Sequence, residues 1–483
     1  MAQLEGKDEA RAAFIRQKME HYDNVARRMK DGAFGGRAYY QRRLAEICSL
    51  MVPPGCKVVE VGCGQGDLIS FLKPSHGVGI DLSGKMIENA KARHSEIQFV
   101  QTDIEDFMTE EKFEFIILSD LVNDLWDVQA VFRKLIGMSY ARTRLVMNFY
   151  SRIWELPLKL AQKVGIAMPT PPQNWLTVED IQNLLELEGF EILRDWSEVL
   201  IPVNIPFLSG FANRYLVKLW PFSALALTNF IIARPKLKGA DQSDRPKVSV
   251  IVPARNEAGN IADIVKRVPE MGRETELIFV EGNSQDNTYE TIRDVISSYP
   301  DKPYSLMKQN GKGKGDAVRL GFSHASGDVL MILDADLSVP PETLPRFVKA
   351  LCSGTGDFIN GVRLVYPMED DAMRFFNFLG NKFFSLAFSW LLGQPIKDTL
   401  CGTKVLWKRD YDQIDANRSY FGDFDPFGDF DLIFGAVKQN LKIVDLPIRY
   451  RSRTYGETNI DRWRHGWMLL KMVCFAAAKI KFK

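Results

Sequence analysis

Two clusters in the chain have residue types and spacings that can do chemistry. The first runs from the apolar stretch Lys57–Val61 into the loop Gly62-Cys63-Gly64-Gln65-Gly66-Asp67. Gly62, Gly64 and Gly66 let a backbone approach a ligand closely, and a following helix offers its N-terminal amides. The next strand-like run ends at Asp81-Leu82, where a carboxylate can accept both hydroxyls of a ribose. A third run ends at Asp103-Ile104, placed to bond an adenine amino group. Glu60 can orient the glycine loop or meet a cationic group. A dinucleotide site wants a third glycine five residues after the first. Asp67 stands there and would repel a pyrophosphate. Three carboxylates around one pocket suit a cationic ligand such as a sulfonium instead. The plain alternative is a set of tight turns and a helix cap.

The second cluster centres on Asp334-Ala335-Asp336, directly after the apolar run Val329–Leu333. Two carboxylates two residues apart at a strand end can hold a hard divalent cation, Mg²⁺ or Mn²⁺. Such a cation neutralises a diphosphate leaving group. Alone, this spacing usually marks a solvated turn. Here Pro253-Ala254-Arg255-Asn256-Glu257, Glu281-Gly282-Asn283-Ser284 and Gly313–Ala317, with Lys314 and Asp316, precede it at successive strand ends. Ligands bind at such ends. Asp429, Asp431 and Asp398 are candidates for a general base, the first two in an acidic, aromatic loop whose other reading is a helix cap.

The elements that must position these residues alternate. In the first half, Lys57–Val61, Val78–Asp81, Gln98–Thr102, Phe115–Ser119 and Arg144–Asn148 are strand-like runs separated by helical patterns, which predicts a parallel sheet covered by helices. Glu191–Leu200 and Leu227–Ala233 would complete it. Ser151–Asn174, with four prolines, reads as a lid over the strand ends, and an amphipathic helix before the first strand as a second cover. Polar Pro235–Lys247 reads as a linker. The expected division is 1–234, a linker at 235–247, and 248–483. The second half restarts the pattern with Val248–Val252, Leu277–Glu281, Tyr304–Lys308 and Val329–Leu333. The length of 483 residues suits about two to four domains. With 62 Lys+Arg against 61 Asp+Glu, the balance does not favour a nucleic-acid binder. Six scattered cysteines give no zinc or disulfide pattern, which suits a reducing cytosol.

Glu60–Gly66, Gly79–Ser83 and Gln101–Asp106 resemble the cofactor, ribose and adenine motifs of class I S-adenosylmethionine-dependent methyltransferases. Ile116–Leu125, with Ser119, resembles their fourth strand and the loop facing the methyl group. The resemblance covers Arg37–Pro235. It implies a Rossmann-like seven-stranded sheet and S-adenosylmethionine held by Glu60, Gly62, Cys63, Gly64, Gly66, Asp81, Leu82, Asp103, Ile104 and Ser119. Methyl transfer would need alignment more than a base. Tyr39, Tyr40, Asp120, Asn123 and Asp124 are acceptor-side candidates, with packing or surface roles as the alternative.

Lys247–Asn459 resembles family 2 glycosyltransferases of the type A (GT-A) fold, the branch of dolichyl- or polyprenyl-phosphate sugar transferases above all. The resemblance implies that Pro253, Ala254, Asn256, Glu257, Glu281, Asn283, Ser284, Lys314, Asp316, Asp334, Ala335 and Asp336 bind a UDP- or GDP-sugar. It further implies metal at Asp334 and Asp336, and acceptor-side motifs at Gly361–Arg363, Asp398–Lys404 and Arg453–Asn459. Two departures stand out. The family commonly has two adjacent acids where this chain has Glu281-Gly282, and a final lysine where it has Asn459. Arg449, Arg451 and Arg453, with Arg363, offer the phosphate contacts instead. A polyprenyl-phosphate acceptor brings an anionic oxygen and needs no strong base; a glycan hydroxyl does.

The expectation is an α/β two-domain fusion, bifunctional. The alternative is a glycosyltransferase whose first half only binds S-adenosylmethionine or acts as a scaffold. No run of about 18 apolar residues occurs. Met373–Leu392 and Trp467–Lys483 read either as interfacial helices or as core helices. The expected location is cytoplasmic, with peripheral membrane contact through those two segments.

Overall fold

The computed structural model describes residues 2–28, 35–165, 170–236, 245–363, 375–421, 425, 428–451, 455 and 462–483. The chain divides into two units, Met1–Lys236 and Leu237–Lys481, each built on one seven-stranded sheet.

The first unit has strands β1 (Lys57–Val61), β2 (His76–Asp81), β3 (Gln98–Gln101), β4 (Phe115–Ser119), β5 (Arg144–Tyr150), β6 (Phe190–Glu198) and β7 (Thr228–Pro235). Their order across the sheet is β3-β2-β1-β4-β5-β7-β6. The first five are parallel, and β7 runs antiparallel between β5 and β6. Its helices are α1 (Ala2–Arg28), α2 (Gly35–Met51), α3 (Asp67–Phe71), α4 (Gly84–Arg93), α5 (Val128–Gly137), α6 (Glu155–Lys163), α7 (Val178–Leu187) and α8 (Leu208–Arg214). Central strands covered on both faces need near-continuous apolar runs, which is why β1, β4 and β5 are so apolar. Val59 and Val61 join the core cluster of α5 and α7, while Val58 joins that of α2. Side-chain caps start the helices: Asp127 accepts from the Ala130 amide at α5, and Thr177 and Asp180 form a reciprocal box at α7.

The second unit has β8 (Lys247–Ala254), β9 (Glu274–Glu281), β10 (Tyr304–Lys308), β11 (Val329–Ile332), β12 (Phe358–Val362), β13 (Lys404–Trp407) and β14 (Ile443–Pro447), ordered β10-β9-β8-β11-β13-β12-β14. β13 is antiparallel to both neighbours. Its helices are α9 (Ile261–Arg267), α10 (Thr288–Ser297), α11 (Lys314–His324), α12 (Leu344–Cys352), α13 (Phe375–Leu392), α14 (Lys408–Ala416), α15 (Phe430–Lys438) and α16 (Arg462–Ala476). The sequence reading places only the first four strands. The last three are short and carry polar residues such as Asn360 and Lys404 inside, which hides their pattern.

Chain order reverses between β1 and β4 in the first sheet, and between β8 and β11 in the second. Helices leave the sheet on opposite faces there, so a crevice opens at the carboxyl ends of those strands. No helix among the described residues is long and apolar enough to cross a membrane. α13 and α16 bury Phe388, Leu391, Leu469 and Met472 in the core, yet leave Phe383, Leu386, Trp467 and Leu470 exposed. Each helix therefore has a core face and an exposed apolar face.

Candidate functional site

In the first unit a cavity of about 560 Å³ opens at the β1/β4 crevice. That size suits a drug-sized ligand. Glu60, Gly62, Cys63, Gly64, Asp81, Leu82, Asp103, Ile104 and Ser119 all line it. Gly66 stands just behind, at φ 77°, where a Cβ would come 2.5 Å from the Phe99 ring, so only glycine fits. Gly64, also left-handed, faces open space.

The carboxylates hold this loop in place. Glu60 is buried and accepts from the Ile69 amide at 3.0 Å, fixing the first turn of α3. Burial pushes its carboxyl well above the ordinary range; the Ile69 bond opposes this, and the charges of Asp81 and Asp67 add to it. Asp81 accepts from Gly64 and Ser83 amides, 2.8 Å each, one on each oxygen. The Asp81 carboxylate also lines the cavity. Burial raises Asp81 as well, against those amides. At β4, Asp120 adopts φ 52° and accepts from Tyr40 at 2.8 Å and Asn148 at 2.6 Å. Asn123 bonds Asn174 and the Tyr150 amide. Tyr39 takes a bond from Asn213.

Sequence reasoning missed α1, which forms one wall. Arg11 reaches Asp103 at 2.9 Å, and Lys18 reaches Asp124 at 2.5 Å. Tyr22 bonds Asp124 as well, and Asp23 accepts from Ser83 and the Lys85 amide. The signal was a stripe at helical spacing: Phe14, Ile15, Lys18, Tyr22 and Val25. A polar composition masked it.

In the second unit two turns meet at the ends of β8 and β9. Asn256 and Asn283 both take φ 56°. The Asn256 amide donates to Ser284 Oγ, and Asn256 Oδ1 accepts from the Gln285 amide. Glu281 accepts from the Ser284 amide, and buried Glu257 from the Asn260 side chain. Pro253 and Ala254 close β8 in register with Val280 and Glu281. Asp316, in the first turn of α11, folds back onto the Gly311 amide.

At the β8/β11 crevice three ion pairs converge. Lys314 pairs with Asp334 at 2.6 Å. Burial favours the neutral form of each, but mutual attraction wins: Asp334 is held below the ordinary range and Lys314 above it. Arg363 grips Asp398 with two parallel bonds of 2.7 and 2.9 Å. Burial would raise Asp398, but Arg363 outweighs it and holds the carboxyl low. Lys404, fully buried, lies 3.2 Å from Asp429. The Cys401 thiol, in the same loop, is pushed up to about 12 by burial and by Asp398. Gly402 permits this crowding, because a Cβ there would lie 2.0 Å from Asp334 and 2.2 Å from Lys314. Asp336 is buried and accepts from the amide and hydroxyl of Ser338. Ala335 is buried between the two acids.

Asp429 is among the charges acting on Lys314, so it belongs to this cluster. Asp431 faces Arg418 at 3.0 Å instead, and burial raises its carboxyl. Arg449 and Arg451 are exposed beyond β14, where the Arg451 amide donates to the Ser338 carbonyl. Arg453 and 456–461 lie outside the described residues.

Two carboxylates suit Mg²⁺ or Mn²⁺ in donor chemistry, since such ions take one or two protein carboxylates and complete their shell with phosphate and water. Among the described residues no group of three or more His, Cys, Asp or Glu could hold a metal alone.

Residues 58–138 match the methyltransferase domain model, and residues 249–413 the model of glycosyl transferase family 2. The chain is 30% identical over 236 residues to a dolichol-phosphate mannosyltransferase of Pyrococcus furiosus, covering 47% of this chain and 64% of that protein. It is 41% identical over 108 residues to the dolichol-phosphate mannosyltransferase of Saccharomyces cerevisiae, covering 21% and 40%. It is 32% identical over 111 residues to an undecaprenyl-phosphate 4-deoxy-4-formamido-L-arabinose transferase of Edwardsiella ictaluri, covering 22% and 34%. The chain thus spans less than two thirds of each of these relatives. A solved structure of magnesium protoporphyrin IX methyltransferase from Synechocystis with bound SAH aligns at a TM-score of 0.33 and 18% identity, over 47% of this chain and 98% of that one. Both matched families are transferases. The chain is a fusion of a methyltransferase domain with a glycosyl transferase family 2 domain.

The buried charges make two predictions. Glu60 is raised, so the folded state binds more protons than the unfolded one and stability falls as pH climbs above about 4. Glu60→Gln removes that slope, so its melting temperature should gain on the wild type from pH 5 to pH 8; parallel curves would refute the assignment. Lys404→Met takes from buried Asp429 the cation it is paired with and should cost about 3–5 kcal/mol in urea unfolding. Adding Asp429→Leu should recover most of that loss.

Proposed function

We propose that the chain is bifunctional, with methyl transfer from S-adenosylmethionine in the first unit and metal-dependent, inverting sugar transfer from a UDP- or GDP-sugar to a polyprenyl phosphate in the second. One observation supports both halves: the carboxylates that would hold each donor stand at the carboxyl ends of parallel strands, on the sheet edge where the switch point opens. The division at 235–247 is part of this proposal.

In the first unit, Asp81, in the cavity wall, would take the ribose, and the Gly64 backbone would approach the ligand where no side chain intrudes. When bound, S-adenosylmethionine supplies an electrophilic methyl group. The chain's part is alignment: Asp120, braced by Tyr40 and Asn148, presents a fixed oxygen at the end of β4.

In the second unit, Asp334 and Asp336 would hold the cation, and Lys314 would share the diphosphate charge. When bound, the cation stabilises the leaving group. The paired state of the base candidates favours a phosphate acceptor. Asp398 is paired with Arg363, Asp429 with Lys404, and Asp431 with Arg418. Asp398, held below its ordinary range by Arg363, is a poor base, and an anionic acceptor oxygen needs none. The names of the prenyl-phosphate relatives point the same way. Arg363 would then face the acceptor side, with Arg449, Arg451 and Arg453 as exposed phosphate contacts. The exposed apolar faces of α13 and α16 support peripheral membrane binding.

Asp81→Ala should weaken S-adenosylhomocysteine binding about tenfold or more by calorimetry, with the fold intact. Unchanged affinity would remove Asp81 from the ribose. Asp336→Asn should cut metal-dependent sugar transfer on the order of a hundredfold, the loss of about 3 kcal/mol; wild-type rates would withdraw the metal site.

A further inference from the structure

We infer that the methyltransferase unit carries its own lipid-facing surface, one that docks on an anionic lipid layer. Two segments carry it, 151–165 after β5 and 199–227 between β6 and β7. The strand register puts both at the same end of the sheet as the cofactor cavity. Tyr150 and Glu198 each pair with Thr228, and Ser119 pairs with Asn148 just before them. Both lie on the β5-β7-β6 side, past the β4 end where the methyl group would sit, and opposite the ribose strand β2. Their roots are joined. The Ser151 amide donates to the Leu227 carbonyl, and the Trp154 indole to those of Leu225 and Ala226.

Their apolar side chains point outward. Phe207 is 97% exposed, Trp220 85% and Leu156 76%, with Leu160 and Phe211 exposed beside them. Leu156, Leu160 and Val164 recur every four residues, one stripe along α6. Phe207 also takes φ 63°, a strained conformation for a phenylalanine, and still spends its ring on solvent. Large rings gain nothing in water, but aromatic and aliphatic side chains settle at a lipid interface.

Charge selects the occupant. Across 151–165 and 199–227 the exposed cations are Arg152, Lys159, Lys163 and Arg214, against Glu155 alone; Lys218 is buried against Glu198. A basic rim around exposed aromatic residues complements an anionic lipid layer.

Hydrogen–deuterium exchange of the full chain, with and without phosphatidylglycerol vesicles, tests this. Exchange should slow in 151–165 and 199–227, and less so with phosphatidylcholine. Phe207→Asp/Trp220→Asp should lose at least about tenfold in vesicle partitioning while still binding S-adenosylhomocysteine. If that variant misfolds, the wild-type exchange map still decides. Unchanged exchange in both segments overturns the inference, even if α13 and α16 hold the chain on vesicles. Protection that rises with protein concentration alone also overturns it, because a second copy then covers the face. A wild type that binds vesicles through these segments but not S-adenosylhomocysteine keeps the surface and sinks the methyltransferase reading instead.

Discussion

A parallel sheet delivers whatever follows each strand to one edge, and a reversal of chain order opens that edge between two strands. Both units depend on this constraint. In the first, the reversal lies between β1 and β4, and the glycine loop, Asp81 and Asp103 arrive from three consecutive strands. In the second it lies between β8 and β11, where the Asn256 and Asn283 turns stand on one side and Asp334–Asp336 on the other. Neither crevice requires the other unit, since each sheet supplies its own strands and core.

The two crevices solve different electrostatic problems. In the first, burial raises Glu60 and Asp81, which have no cation paired with them, while Arg11 and Lys18 pair with Asp103 and Asp124 at the cavity wall. The second must receive a diphosphate, and it already holds Lys314, Arg363 and Lys404 in close pairs with Asp334, Asp398 and Asp429. Burying such charges is expensive, so geometry has to be close and each loop tightly placed. Gly402, with no room for a methyl group, shows how closely the Asp398–Lys404 loop is pressed onto the Asp334 pair.

Much of this was legible in the sequence, and the reason is locality. Apolar runs five residues long, glycines at spacing two and acids at strand ends are read within one short window, so β1–β5, β8–β11 and their turns could be placed. The partners could not. Lys314 and Asp334, Arg363 and Asp398, and Lys404 and Asp429 are each separated by a strand or a long loop. Their pairing exists only after the sheet forms. β12–β14 escaped because short strands with buried Asn360 and Lys404 imitate polar loops.

α1 escaped for a different reason, which also explains its place in the first unit. It is a polar helix of 27 residues, and few apolar positions mark it. Such a helix gains little from propensity alone, and most of its stability must come from tertiary contacts. Those contacts are with the cavity's own walls: Asp103 by Arg11, Asp124 by Lys18 and Tyr22, and the N-terminus of α4 by Asp23. Phe14 packs on Trp126, 5.3 Å between ring centres. The residues that order α1 are thus those that shape the ligand space, and nothing that displaces Asp103, Asp124 or Ser83 can leave this wall of the cavity unmoved.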